Sequence, residues 1–464
     1  MEQALRQAEA TAGGNILSEL DWLDVVNLIS WPYAAPADEL CQRMGLTPAR
    51  RNYGPVGGET PIRFVHEAAT RIARGESTVA AVCGGEAHLS AARAQNQGID
   101  LPWTPRPAKA APSVRGQDSA HPLAKALSVH LPVTVYPFYE NAGAHAQGQP
   151  PAQALRESAE LWCAMSHVAA ANPNAWYDQA FGTEEIMAVS PANRMIAHPY
   201  RKLMVANIGV NQGAAVILTS LAKARSLGLD DGRLIFVHGG YTAEEPSDYL
   251  QREGFDRCTA RDIVLESALA ACPGGFDHVE LYSCFPCVPK AARRTLGMRQ
   301  DESCTMAGGL TFFGAPLNNY MSHAVAAMAR GLRDKPGIGL LYGQGGFMTK
   351  HHALIVGTAP AEKAWVMQPP ALSVELQQRY GDCPTLVTDA EGEAVVETHT
   401  VAYDRDGGRR GVVMLRLDAG AKRTLAAVAD EELDVLENDA AFAIGRRGHV
   451  STPPGGVPIW RFGA

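Results

Sequence analysis

No stretch of this 464-residue sequence approaches the roughly 18 consecutive apolar residues that a membrane-spanning helix needs. The opening segment from Met1 to Gly14 is polar and alanine-rich and lacks the apolar core of a secretory signal. An excess of basic residues is missing as well: 41 Lys and Arg stand against 49 Asp and Glu, a formal charge of −8. Attraction to a nucleic-acid backbone requires clustered cations that displace its counterions, so nucleic acid is not an expected partner. Low-complexity runs are absent too, and 46% apolar with 19% charged residues describes an ordinary globular interior. The expected location is the cytoplasm, with no membrane span.

The nine cysteines are an odd number scattered along a long chain without a secretory signal, so they read as reduced thiols. Five of them, Cys258, Cys272, Cys284, Cys287 and Cys304, fall in one stretch. Cys284 and Cys287 form a CFPC segment between an expected strand and helix, where a dithiol redox site would lie. Zinc would need two further ligands, and Cys272 and Cys304 are not at ribbon-like spacing, so no metal site is expected.

The length implies two or three domains. β-Branched runs alternate with helical periodicity, the pattern of sheets covered by helices. Strands are predicted at Leu23 to Ile29, Thr78 to Cys83, Ala214 to Thr219, Arg233 to His238, His278 to Tyr282 and Gly337 to Tyr342. Helices are predicted at Pro61 to Arg74, Ala152 to Ala171, Ala260 to Ala271 and Asn318 to Arg333. From about Met367 alternating segments take over, with Val395 to Tyr403 and Arg410 to Asp418 flanking a hairpin turn, so a small β domain is expected there.

Two distant stretches repeat one pattern. GGETPIRFVHEAATRIARGESTVAAVCGG begins at Gly57 and GAPLNNYMSHAVAAMARGLRDKPGIGLLYGQGG at Gly314. Each runs from a Gly turn through a helix ending in ARG and a short link to an apolar strand closing on paired glycines. Glycine permits close backbone approach, and the helix aims its first amides at whatever sits there, so two such units can face one cleft.

The repeat, the VELYSCFP strand end, SPANRMIAHPYRKLMVANIGVNQGAA and AGGLTFFGAPLNNYMSHA together resemble the thiolase superfamily, nearest to its type 1 thiolase-like proteins. The resemblance spans Leu5 to Thr358, and the β segment resembles the extra C-terminal domain of that subgroup. It implies an α/β fold of duplicated βαβαβ halves in layers: residues 1–225 with an inserted loop region, 226–362, and a β-rich domain at 367–464. Thiolase halves begin with a strand taken as central, yet this chain opens in the first helix. The expectation is that the chain starts further upstream or that another segment fills the gap.

The same resemblance implies four chemical positions, and this sequence departs at each. The acylated cysteine falls on Gly58, beside Gly57. The Asn-Glu-Ala-Phe or His-Asp-Cys-Phe segment reads Tyr282, Ser283, Cys284, Phe285. The Gly-His-Pro turn is Gly314, Ala315, Pro316, without an imidazole. The second cysteine's strand end offers Tyr342, followed by Gly345 and Gly346. Chemistry through an acyl-cysteine is therefore not expected.

Three readings remain open: an acyltransferase-like or acyl-CoA-binding protein of lipid metabolism, a retro-aldolase using tyrosines, and a non-catalytic scaffold. Tyr282, Tyr342 and Cys284 are the candidate reactive groups, since a phenol can pass a proton if its neighbours shift its pKa. The alternative is two core tyrosines with satisfied hydroxyls. Asn318, Asn319 and His323 open the second buried helix, where they would cap it or meet a thioester carbonyl. Arg194, Arg201 and Lys202 would hold the CoA phosphates or form a solvated basic face. Lys350 is read as solvated, and His66 and His88 as packed or surface histidines. No permanently bound cofactor is expected, only coenzyme A or acyl-CoA as ligand, with a homodimer or a partner protein as further possibilities.

Overall fold

A computed structural model describes residues 1–113, 115–361 and 371–463. The first half contributes strands β1 (Trp22–Val25), β2 (Arg50–Tyr53), β3 (Val79–Ala87) and, after an excursion through β4 (Met195–His198) and β5 (Tyr200–Arg201), β6 (Asn211–Thr219). These form a sheet of order β2-β1-β3-β6, parallel except for the antiparallel β3-β6 pair. The second half supplies β7 (Phe236–Glu244), β8 (His278–Leu281), β9 (Ile338–Gly345) and β10 (Lys350–Gly357), ordered β7-β10-β9-β8.

Helices Thr60–Ala73 and Tyr320–Asp334 touch each other and strands of both sheets, so they form the middle layer. The sequence explains why they can lie there. Ile62, Phe64, Val65 and Ala68 are buried on the first, and Met321, Ala324, Met328 and Leu332 on the second. Pro61 occupies the first turn, where its missing N–H is not needed. A Cβ on Gly343 would stand 2.9 Å from Glu59 Cα, so glycine there lets helix and sheet touch.

Matching the two repeats sets β3 and β6 against β9 and β10. Beyond β10 the second sheet continues to β7, whereas among the described residues the first ends at β6. A counterpart of β7 would thus lie at the edge of the first sheet beside β6, which corrects the central place expected for it. Helix Glu2–Ala12 packs on β6, with Leu5 fully buried.

Several strands differ from expectation in extent: β3, β6 and β9 each run three or four residues beyond one predicted end, and β7 and β1 differ as well. β7 runs on past the predicted end at His238, through Gly239 and Gly240, because its pairing with β10 continues to Glu244. β1 stops at Val25, and Asn27 turns inward, its amide donating to the Gly54 carbonyl at 3.3 Å.

The third sheet comprises β11 (Thr385–Leu386), β12 (Gly392–Tyr403), β13 (Arg409–Leu417), β14 (Lys422–Val428), β15 (Arg447–Ser451) and β16 (Ile459–Phe462), and it is continued by β4 and β5. The expected hairpin is the antiparallel β12-β13 pair. The expected boundaries at 362 and 367 lie outside the described residues.

Arg423 ties this sheet to the body. Fully buried, it donates to the carbonyls of Leu250 and Arg252 at 2.7 and 2.6 Å and to Glu397 at 2.7 and 2.9 Å. Glu397 keeps Arg416 as a partner at 2.7 Å, so Arg423→Ala is expected to destabilise the chain by about 1–3 kcal/mol, from the Leu250 and Arg252 carbonyls that lose their donor. Calorimetry should then resolve an early transition of the C-terminal sheet.

Candidate functional site

Gly57, Gly58 and Glu59 lead into helix Thr60–Ala73, and the end of β8 lies opposite. A Cβ on Gly58 would overlap the Tyr282 hydroxyl and lie 2.5 Å from both its Cζ and the Gln344 carbonyl oxygen. The volume beyond Gly58 is therefore filled by a phenol from the other half. Tyr282 is buried, and burial, then the neighbouring Cys284 and Glu59, push its pKa well above the usual tyrosine value. The ring stays a protonated phenol.

Tyr342 does not join it. The parallel register pairs Leu281 with Tyr342, so Tyr282, one residue on, projects from the opposite face. The Tyr342 hydroxyl donates to His351 Nδ1 at 2.8 Å, while His351 Nε2 faces the Met348 carbonyl at 3.1 Å. That arrangement also bears on Cys258, whose sulfur lies 3.2 Å from both His351 Nε2 and Glu245 Oε1. With Nε2 donating to Met348, the imidazole has no lone pair for the thiol proton, and burial raises the Cys258 pKa to about 12. The group is structural. Tyr342→Phe should lower stability by about 1–2 kcal/mol in urea unfolding, through the unpaired His351, and leave ligand binding unchanged.

The other candidate thiols are also quiet. Cys284 accepts from Gln344 Nε2 at 3.2 Å, and that amide also donates to the Tyr136 hydroxyl at 2.8 Å. Burial pushes both Cys284 and Cys83 up to about 12. Cys83 packs with Cys41, Leu23 and Leu40, in a cluster separate from the one that contains Tyr282. Burial likewise raises the Cys287 thiol well above its ordinary value.

The polar start of helix Tyr320–Asp334 divides into different roles. Asn318 bridges the halves: its Oδ1 accepts from Gly57 N at 3.1 Å and its Nδ2 donates to the Asn27 carbonyl at 3.0 Å. Asn319 packs against Gly84, and neither its oxygen nor its nitrogen finds a hydrogen-bond partner in the protein. His323 stacks obliquely on Phe313, 5.2 Å between centroids, with burial holding its pKa down to about 3. Gly314 has φ +111° and lies against Gln212, and the buried Ala315 offers no imidazole.

Gly345 and Gly346 border the site, and Gly116 lies against Gly346. A Cβ on Gly116 would be 3.1 Å from Gly346 Cα. Lys350, expected to be solvated, donates instead to the Val56 carbonyl at 3.3 Å beside Gly57.

Arg194, Arg201 and Lys202 lie elsewhere, at the β4-β5 hairpin in the third sheet. Arg201 donates to the Met187 and Pro199 carbonyls at 3.0 and 2.5 Å, and Arg194 to that of Met195 at 2.9 Å. Both guanidinium groups are engaged by backbone, so the structure does not bring them to Gly58.

Glu59 went unnoticed in the sequence. It is 2% exposed, and its carboxyl finds no hydrogen-bond partner beyond its own backbone. A Cβ on Gly57 or Gly345 would overlap its carboxylate. Burial raises its pKa. The flanking glycines were the available signal, since they keep space for a side chain as well as for a ligand.

The fold is thiolase-like. Residues 375–453 match the thiolase-like protein type 1 additional C-terminal domain. The chain therefore combines the thiolase-like fold with that added domain. A monomeric SCP2-thiolase like protein type 1 from Mycobacterium smegmatis is 26% identical, with a TM-score of 0.84 over 100% of this chain and 94% of the other. An Ltp2-ChsH2(DUF35) aldolase is 17% identical, with a TM-score of 0.56 over 78% and 92%. The Bacillus anthracis acetyl-CoA acetyltransferase is 17% identical, with a TM-score of 0.53 over 76% and 91%. No curated protein sequence matches. No helix among the described residues is long and apolar enough to cross a membrane.

Proposed function

We propose that this chain binds an acyl thioester of coenzyme A between its two halves and handles it without forming an acyl-cysteine. One observation carries the reading: the Tyr282 phenol fills the volume beyond Gly58 that a nucleophilic sulfur would need. The lack of an imidazole at Ala315 and the high thiol pKa of Cys284 support it, because acyl transfer requires a thiolate and a polarised carbonyl. A tyrosine-pair retro-aldolase is disfavoured by the separation of Tyr342 from Tyr282. Such a binder belongs to acyl-CoA or lipid metabolism, and complex formation without turnover would make it a carrier or scaffold.

Incubation with acetoacetyl-CoA and free CoA should yield no acetyl-CoA above the protein-free control. Thiolysis that an alkylating reagent abolishes would overturn the reading.

A further inference from the structure

We propose that Glu59 takes part in ligand binding as a neutral carboxylic acid that donates a hydrogen bond to the carbonyl oxygen of the bound acyl thioester. The proposal rests on the acyl-thioester reading above and names the group that recognises the ligand. Glu59 is 2% exposed and its carboxyl finds no hydrogen-bond partner beyond its own backbone, although buried polar groups almost always find one. The exception marks a place for a ligand atom or a bound water.

The surroundings are shaped around it. Gly57 and Gly345 leave room for the carboxyl on either side, and Gly343 admits its Cα, so two backbone segments, one from each repeat, accommodate this residue. It follows Gly58 directly, at the position from which a thiolase would attack the thioester, and the family's carbonyl-polarising imidazole is absent at Ala315.

The groups facing Glu59 do not neutralise it by pairing. Lys350 from β10, Arg63 from its own helix, Glu244 from β7 and Tyr282 from the end of β8 surround it, and among the described residues none forms an ion pair with it within 4.0 Å. Desolvation is the largest influence and favours the protonated form. A neutral acid can donate to a carbonyl, whereas a carboxylate can only accept. As pH rises through the folded-state pKa of Glu59, the donor is lost and carbonyl recognition weakens.

Calorimetric titration of the full chain with acetyl-CoA and with S-ethyl-CoA, a thioether without the carbonyl, tests this between pH 5 and 8. The wild type should prefer acetyl-CoA, with the preference falling as pH rises. Glu59→Gln keeps an N–H donor and should retain the preference without its pH dependence. Glu59→Leu should lose about tenfold in acetyl-CoA affinity and leave S-ethyl-CoA binding unchanged. Equal binding of both ligands by the wild type, or an unaltered pH slope in Glu59→Gln, overturns the role of Glu59 and leaves the acyl-thioester reading standing. Failure of the wild type to bind either ligand or CoA overturns both. The glutamine variant alone decides the matter if the leucine variant does not fold.

Discussion

Installing the missing cysteine is expected to harm this protein: Gly58→Cys should lower stability by about 1–3 kcal/mol and produce no thiolase. The new Cβ would overlap the Tyr282 hydroxyl and crowd the Gln344 carbonyl, so the phenol or the helix start must move. No imidazole stands at Ala315 to polarise a thioester even if the sulfur were accommodated. A double-mutant cycle isolates the contact. Gly58→Ala overpacks the site and Tyr282→Ala empties it, so the double variant should be at least about 1 kcal/mol more stable than the two single losses predict. Additive losses in urea unfolding would show that the two positions do not touch.

The second large effect concerns Glu59 and pH. Burial raises its pKa in the folded state above the ordinary value of 4.5, so the folded chain holds this proton to a higher pH than the unfolded chain. The associated stability is fully present below the unfolded value and is lost as pH rises through the folded one. Glu59→Gln removes that loss. The variant should gain on the wild type as pH rises from 5 to 8. Urea midpoints at the two pH values measure it, and a constant difference would mean that the carboxyl does not titrate in that window.

The doubled architecture was legible because each repeat writes its own helix and strand: Pro61 and Asn318 mark the helix starts, and the paired glycines mark the strand ends. Gly58 and Tyr282 were singled out by the family resemblance, and the structure brings them into contact. The place of Tyr342 was not legible, because alternation at a strand end assigns a face only once the register is known, and Leu281 pairing with Tyr342 fixes it. The edge place of a β7 counterpart depended on sheet order, which no local pattern encodes. Arg194 and Arg201 suited phosphate by charge, yet the backbone carbonyls that engage them are invisible in sequence. Glu59 was hidden by resemblance to an ordinary acidic residue near a helix start, where the helix dipole welcomes negative charge. Its burial comes from β9, nearly three hundred positions away, through Gly343 and Gly345.

The account stands most directly on whether any sulfur of this chain ever carries an acyl group. Intact-mass and peptide mass spectrometry of the protein quenched in acid after exposure to acetyl-CoA or acetoacetyl-CoA answers this. Unmodified chain with free acyl-CoA is the expected outcome, and an acetyl thioester on Cys284, Cys83 or any other cysteine would contradict it.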